Sequence, residues 1–155
     1  MRSTAEAQTI LRTDPIAQQL LQSAIMARLA YVWPDGTPRV LPMWFHWTGD
    51  EILMGAPPNS PKMRALPANP AVALSIDGEV FPYPVLLIRG AATTEILDGP
   101  FPEYGAMARR YLGDEGGDNF VALVKGKFPR WSRIAIRPQA VRILDFQTRF
   151  PSAWS

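Results

Sequence analysis

The chain of 155 residues contains no cysteine. Disulfides, thiolate metal sites and cysteine nucleophiles are therefore excluded. It contains one histidine, His46, which rules out a histidine-rich metal cluster and argues against a Ser-His-Asp triad. No apolar run approaches the roughly 20 residues that a membrane-spanning helix needs. The N-terminal stretch MRSTAEAQTILRTDP lacks the apolar centre of a signal peptide. Net charge is also scarce, at +2, although the isoelectric point is about 9.2. That balance argues against a bulk electrostatic binder of nucleic acid. The expectation is a cytoplasmic protein with neither a membrane nor a nucleic acid as its partner.

What is present is ordinary for a globular chain: 47% hydrophobic and 19% charged residues. At this length one domain with a substantial core is expected, because such a chain buries roughly 70% of its unfolded surface. Charge is unevenly placed. Between Lys125 and Arg149 there are seven basic residues and one acid, Asp145. That run is either an anion-binding face or a solvated strand surface.

Residues 1–13 are polar and are expected to be a flexible N-terminus, with a single domain over 14–155. Asp14-Pro15 reads as a helix start, with Asp14 as N-cap and Pro15 in the first turn. Ile16, Leu20 and Ala24 continue at helical spacing, and the helix is expected to end near Arg28. Leu29 to Trp33 has strand composition. Pro34-Asp35-Gly36-Thr37 is a turn, because Pro presets one dihedral and Gly permits positive φ. Strands are expected over Arg39–Trp47 and Glu51–Gly55, as an antiparallel meander. Pro42 cannot donate a ladder hydrogen bond, so its strand is an edge or is bulged there. Such a gap is either a place for a ligand or a plain kink.

Ser60-Pro61 starts a short helix that Asn69-Pro70 ends. Ala71–Ile76 and Pro84–Ile96 read as strands, the second kinked at Gly90. Tyr104, Met107, Ala108 and Tyr111 share a helical face. Gly113–Asn119 is a Gly-rich break, and Phe120, Leu123 and Val124 mark a further short helix. Ser132–Arg137 alternates as a half-buried strand does. A turn at Pro138 and a last strand over Val141–Phe146 follow. The sum is six or seven strands, joined mostly as meanders, and three or four helices, which favours an α+β arrangement: a small antiparallel barrel with peripheral helices.

The sharpest chemical signal is Ser60-Pro61-Lys62 at a helix start, with Arg64 behind it. Helix N-terminal amides and the helix dipole favour an anion, and a hydroxyl and an ammonium add donors and charge. The same residues also describe an ordinary capped helix.

The wider arrangement carries more. Gly36-Thr37-Pro38-Arg39-Val40-Leu41-Pro42-Met43-Trp44-Phe45 is followed by a turn and Ile52-Leu53-Met54-Gly55. Then come Ser60-x-Lys62, Leu66, Asn69-Pro70, Val72 and Leu74. The tail reads Trp131-x-Arg133-Ile134-x-Ile136-x-Pro138. Over about residues 16–146 this order resembles the pyridoxamine 5'-phosphate oxidase-like superfamily of flavin- or deazaflavin-binding split β-barrels.

The resemblance implies a homodimer with cofactor sites at the subunit interface. It implies that the strand backbone of Arg39, Val40, Leu41, Pro42 and Met43 faces the isoalloxazine ring. Gly55 and Ala56 would lie against the ribityl chain, and Ser60 and Lys62 would hold the phosphate. Trp131 and Arg133 would reach the site from the partner subunit. Two departures stand out. Pro61 takes the place of an arginine before the lysine, and no C-terminal Arg-x-His is present. Vitamin B6 oxidation is therefore not expected.

The cofactor expected is FMN, because Ser60-Pro61-Lys62 is lean in positive charge; the alternative is the deazaflavin F420. Arginine outnumbers lysine 13 to 3, which leans toward the alternative. The expected activity is hydride transfer to or from a small organic substrate. No residue stands out as a catalytic acid or base, which suits a reaction whose chemistry the cofactor supplies. His46 has an unperturbed pKa suited to proton transfer, but its place between Phe45 and Trp47 reads as structural. A non-catalytic flavin-binding module is the second reading. A nucleic-acid binder using the basic tail is a third, and it would bind with steep salt dependence.

Overall fold

The computed structural model describes residues 3–151. Two short helices lead the chain, α1 (Thr4–Thr13) and α2 (Pro15–Leu21). Seven strands follow: β1 (Ala27–Val32), β2 (Pro38–Met43), β3 (His46–Trp47), β4 (Ile52–Ala56), β5 (Ala71–Asp77), β6 (Val85–Leu97) and β7 (Trp131–Leu144). Helix α3 (Pro61–Ala68) precedes β5, and α4 (Glu103–Lys127) lies between β6 and β7.

All seven strands form one antiparallel sheet in the order β2-β1-β5-β6-β7-β4-β3. β2 and β3 therefore stand at opposite ends of the sheet, yet only Trp44 and Phe45 separate them in the chain. A few peptide units reach little more than about 10 Å, so the sheet must curl until its ends almost meet. The result is a split barrel that the chain closes and hydrogen bonds do not. Its interior holds Leu29, Phe45, Ile52, Met54, Ile76, Ile88 and Ile136, all 0–1% exposed. A second cluster on the outside of β4 and β7 packs Leu53, Trp131 and Ala135 under Tyr104, Met107 and Val124 of α4.

The N-terminal segment differs from expectation. Residues 4–13 are helical, and Ser3 and Glu6 form a reciprocal capping box. Ala7 and Leu11 are fully buried, and Gln8 donates to the Asp50 carbonyl at 3.0 Å. The polar residues that read as a loose tail are the outer face of an amphipathic helix. Met1, Arg2 and residues 152–155 lie outside the described residues.

Helix α2 begins as expected, with the Asp14 carboxylate accepting from the Ile16 and Ala17 amides at 2.9 and 3.2 Å. It ends at Leu21 rather than near Arg28, because the Ser23 hydroxyl donates to the Leu20 carbonyl at 2.7 Å and turns the chain. The strand expected over Arg39–Trp47 is two strands. Phe45 breaks it, since its amide and its carbonyl are both served by side chains of α4. Only Gly113, with φ of 81°, leaves helical geometry within α4, so the break is one residue wide.

There is no turn at Pro138. β7 runs straight through it, and a bulge absorbs the proline: Gly90 faces Pro138 while Arg89 faces Ala140, which leaves Gln139 over. A Cβ on Gly90 would stand 2.3 Å from the Arg137 carbonyl oxygen, so only glycine permits this approach.

Candidate functional site

Two features of the fold stand out. The first is the start of α3. Ser60 occupies the N-cap position and its carbonyl accepts from the Met63 amide at 3.0 Å, but its side chain makes no capping bond. The Ser60 Oγ is buried without a hydrogen-bond partner among the described residues. The ordinary-cap reading of this serine therefore fails. Lys62 is 7% exposed and has no carboxylate within 4.0 Å among the described residues. Burial pushes its ammonium below the ordinary lysine value. A buried cation and a buried hydroxyl, both lacking partners and two residues apart, fit an oxyanion such as a phosphate.

Arg64 follows Lys62 by two residues on α3, and Arg39 of β2 stands with it on one ring. The Arg39 and Arg64 guanidinium carbons lie 5.2 and 5.6 Å from the ring centroid of Trp33, within cation–π range. Neither has a carboxylate within 4.0 Å among the described residues. One ring thus holds a strand arginine and a helix arginine together.

The second feature is a cavity of about 270 Å³ between the barrel and α4. Met26, Pro42 and Met43 form one side. Gly55 and Trp131 form the strand side, and Tyr104, Met107, Trp44 and Phe120 close the rest. Gly55 is what admits the aromatic rings. A Cβ there would stand 2.6 Å from Trp131 Nε1 and 2.7 Å from Tyr104 Cε2. No charged side chain lines the cavity. Burial pushes the Tyr104 phenol up to about 12, so it stays protonated at neutral pH.

A clamp from α4 fixes the walls. The Tyr111 hydroxyl donates to the Ile25 carbonyl at 3.0 Å and accepts from the Phe45 amide at 3.3 Å. Arg110 donates to the Ser23 carbonyl at 2.8 Å and to the Phe45 carbonyl, with its guanidinium carbon 4.8 Å from the Phe45 ring centroid. These bonds tie the residues before β1 to the break after β2, one on each side of Met26 and Met43.

Several of the residues expected at a site thus come together. Pro42, Met43, Gly55 and Trp131 line the cavity, Ser60 and Lys62 stand at the start of α3, and Arg39 shares the Trp33 ring with Arg64. β2 is an end strand of the sheet, as Pro42 implied, with Arg39, Val40 and Pro42 exposed and Leu41 half-buried. Ala56 turns its methyl into the core and offers a ligand only backbone. Arg133 pairs across the sheet with Gly55 and Glu95 and is half-buried. His46 does not line the cavity. Its Nδ1 is buried without a partner, and burial, helped by the Arg110 charge, lowers its pKa. Tyr104, Phe120 and the Arg110–Tyr111 clamp were missed from sequence. Their helical spacing is visible there, but it signals a core face only.

Among the described residues no cluster of His, Asp and Glu is arranged to hold a metal, and no helix is long and apolar enough to cross a membrane. Comparison with known proteins places this architecture. The chain resembles the solved structure of an F420 reductase, with 31% identity, coverage of 81% of this chain and 94% of that one, and a TM-score of 0.61. It also resembles a conserved hypothetical protein from Mycobacterium tuberculosis, at 21% identity, 92% and 94% coverage and a TM-score of 0.70. A heme storage protein from Vibrio cholerae shares the fold at 16% identity, 84% and 93% coverage and a TM-score of 0.61. No curated protein matches the sequence. The sequence profile described as pyridoxamine 5'-phosphate oxidase matches residues 13–145, and the chain belongs to that family.

Proposed function

We propose that this protein is a flavin-type oxidoreductase that transfers hydride to or from a small organic molecule. The observation that carries the reading is the start of α3, where the buried, partnerless Ser60 Oγ stands two residues from Lys62, which is 7% exposed and has no carboxylate within 4.0 Å among the described residues. In this reading they hold the cofactor phosphate. The backbone of Arg39 to Met43 faces the ring, and Gly55 and Ala56 flank the chain between ring and phosphate. When bound, a flavin or deazaflavin supplies the hydride chemistry. The protein binds, orients and keeps water away, and the uncharged cavity suits that division of labour.

Of the two cofactors, F420 is the better supported. Arg39 and Arg64, held on Trp33 without carboxylates, suit an acidic tail beyond the phosphate, and the 31% identical structure is an F420 reductase. FMN is the second reading, favoured by the single lysine at the phosphate seat.

The outer face of the sheet supports a homodimer as the working unit. Ala30 and Val40 lie there with Leu87 and Ile143, beside Arg28 and Arg89, a surface that a second copy would cover. Trp131 and Arg133 would then serve either the same protomer or its partner.

The test is titration of FMN and F420 into the purified protein, followed by absorbance. Wild type is expected to bind F420 and Lys62→Ala to lose it. Equal affinity in the two proteins would remove the phosphate assignment. Arg64→Ala is expected to weaken F420 by about fivefold, roughly 1 kcal/mol, and FMN by less. Reduced cofactor that no acceptor re-oxidises would favour a non-catalytic binding module.

A further inference from the structure

We infer that the second half of α4, residues 114–127, is a gate over the cavity between the barrel and that helix, hinged at Gly113 and latched by Arg109 and Asp118. The inference goes beyond the reading above and rests on no cofactor.

Three observations carry it. First, α4 is a hairpin and not a rod. Phe120 follows Tyr104 by 16 residues, which is about 24 Å along a straight helix, yet their ring centroids are 6.5 Å apart. The chain folds back at Gly113, whose φ of 81° and ψ of 171° belong to a region that essentially only glycine adopts. With no side chain to restrain it, this residue is the pivot.

Second, the returning half is thinly held. Of its 14 residues only Gly117 and Val124 are buried, and Leu123 is 60% exposed. Segments with so little burial open before the rest of a fold. Gly117 seats this half on the first, since a Cβ there would stand 2.5 Å from the Arg109 amide nitrogen. Beside that seat Arg109 donates twice to the Asp118 carboxylate, at 2.8 and 3.0 Å. Both side chains are more than half exposed. An exposed ion pair is weak, so this latch can release.

Third, the returning half covers the cavity. Its Phe120 ring lies 5.0 Å from the Trp44 ring and forms one wall. Met107 lines the same space and is 0% exposed, so no solvent reaches its sulfur while the gate is shut. Lifting Phe120 removes that wall. The gate then sets how fast a small molecule enters or leaves, and keeps water out in between.

Hydrogen peroxide, which converts an accessible methionine to its sulfoxide, reads the opening in the full chain, each methionine being followed by peptide mass spectrometry. Met26, 45% exposed, is the open reference. Met54, 0% exposed in the barrel interior and away from the cavity, is the closed one. Wild-type Met107 is expected to oxidise about tenfold faster than Met54, and more slowly than Met26. Arg109→Gln removes the latch and should speed Met107 about threefold, as loss of an exposed ion pair allows, with Met54 unmoved.

A disulfide can hold the gate shut, because the chain has no cysteine of its own. A Cβ on Gly116 would stand 3.2 Å from the Leu112 Cβ, across the hinge, close to the spacing that a disulfide spans. Oxidised Leu112→Cys/Gly116→Cys should slow Met107 about fivefold relative to Leu112→Ser/Gly116→Ser. Met107 as slow as Met54 in both wild type and Arg109→Gln would overturn the inference, as would equal rates in the disulfide and serine pairs. So would a rise in Arg109→Gln that Met54 shares, since that is opening of the whole fold.

Discussion

Tyr111 lies flat against Trp44, with ring centroids 5.0 Å apart and planes 5° from parallel. The stack places the Tyr111 hydroxyl between the Ile25 carbonyl and the Phe45 amide. A helix residue thereby joins the stretch before β1 to the stretch after β2, just beyond the Ala27–Met43 end of their ladder.

Tyr111→Phe keeps the stack and deletes the bridge. The Phe45 amide is then left without its acceptor. The expected loss is about 1–3 kcal/mol by urea unfolding, with faster hydrogen exchange at Phe45. Unchanged unfolding and exchange would mean that ring packing alone holds this junction.

Lys62 links stability to pH and, in the proposed function, to ligand. Its folded pKa is lowered by burial from 10.5, so the unfolded chain binds the proton more tightly. The cost of burying the charge is present in full below the folded pKa. It fades as pH rises through the window between that value and 10.5. Lys62→Met should therefore be the more stable protein at pH 7 in phosphate-free buffer, with a gap that narrows toward alkaline pH. Inorganic phosphate should raise the melting temperature of wild type only. A less stable variant at pH 7 without phosphate would show that the ammonium already has a partner.

Gly55→Ala puts a methyl where Trp131 and Tyr104 now meet the strand. The rings must move, at an expected cost of about 1–3 kcal/mol. The change should also narrow the cavity and weaken binding of any ring within it. Wild-type stability together with wild-type ring affinity would refute the role given to this glycine.

Asp145 closes the C-terminal end of β7. Its carboxylate accepts from the amides of Gln147, Thr148 and Arg149 at 2.9, 2.8 and 2.7 Å. The Gln147 amide, then the Thr148 hydroxyl and the Arg149 amide, hold it well below the usual carboxylate range. A depressed folded pKa means stability that is present above the unfolded value of 3.8 and lost as pH falls through the folded one. Asp145→Asn should thus be less stable than wild type at pH 7, with the difference closing in strong acid. Matching unfolding curves at pH 7 would rule this out.

Much of this was legible from residue order. Asp14-Pro15, Ser60-Pro61 and Asn69-Pro70 fix helix ends by local chemistry, and alternation marks the strands. Pro42 announced an edge because a missing amide hydrogen is a local fact. What escaped was decided by distant partners. Leu11 is buried only because the barrel is there to receive it. The break at Phe45 exists because Tyr111 and Arg110, some 65 residues on, take its backbone groups. The close approach of Trp131 and Tyr104 to Gly55 brings together residues about 50 and 75 positions further along the chain. Spacing along a chain does not reveal such contacts.

The seam of the barrel has one more consequence. An unpaired strand edge is an invitation to other chains, and β2 presents one along its length. Two of its six residues, Pro38 and Pro42, have no amide hydrogen to give an incoming strand, and Arg39 adds a charge. The seam can stay open because that rim is a poor template for another polypeptide. Replacing those prolines would put solubility at risk before it touched chemistry.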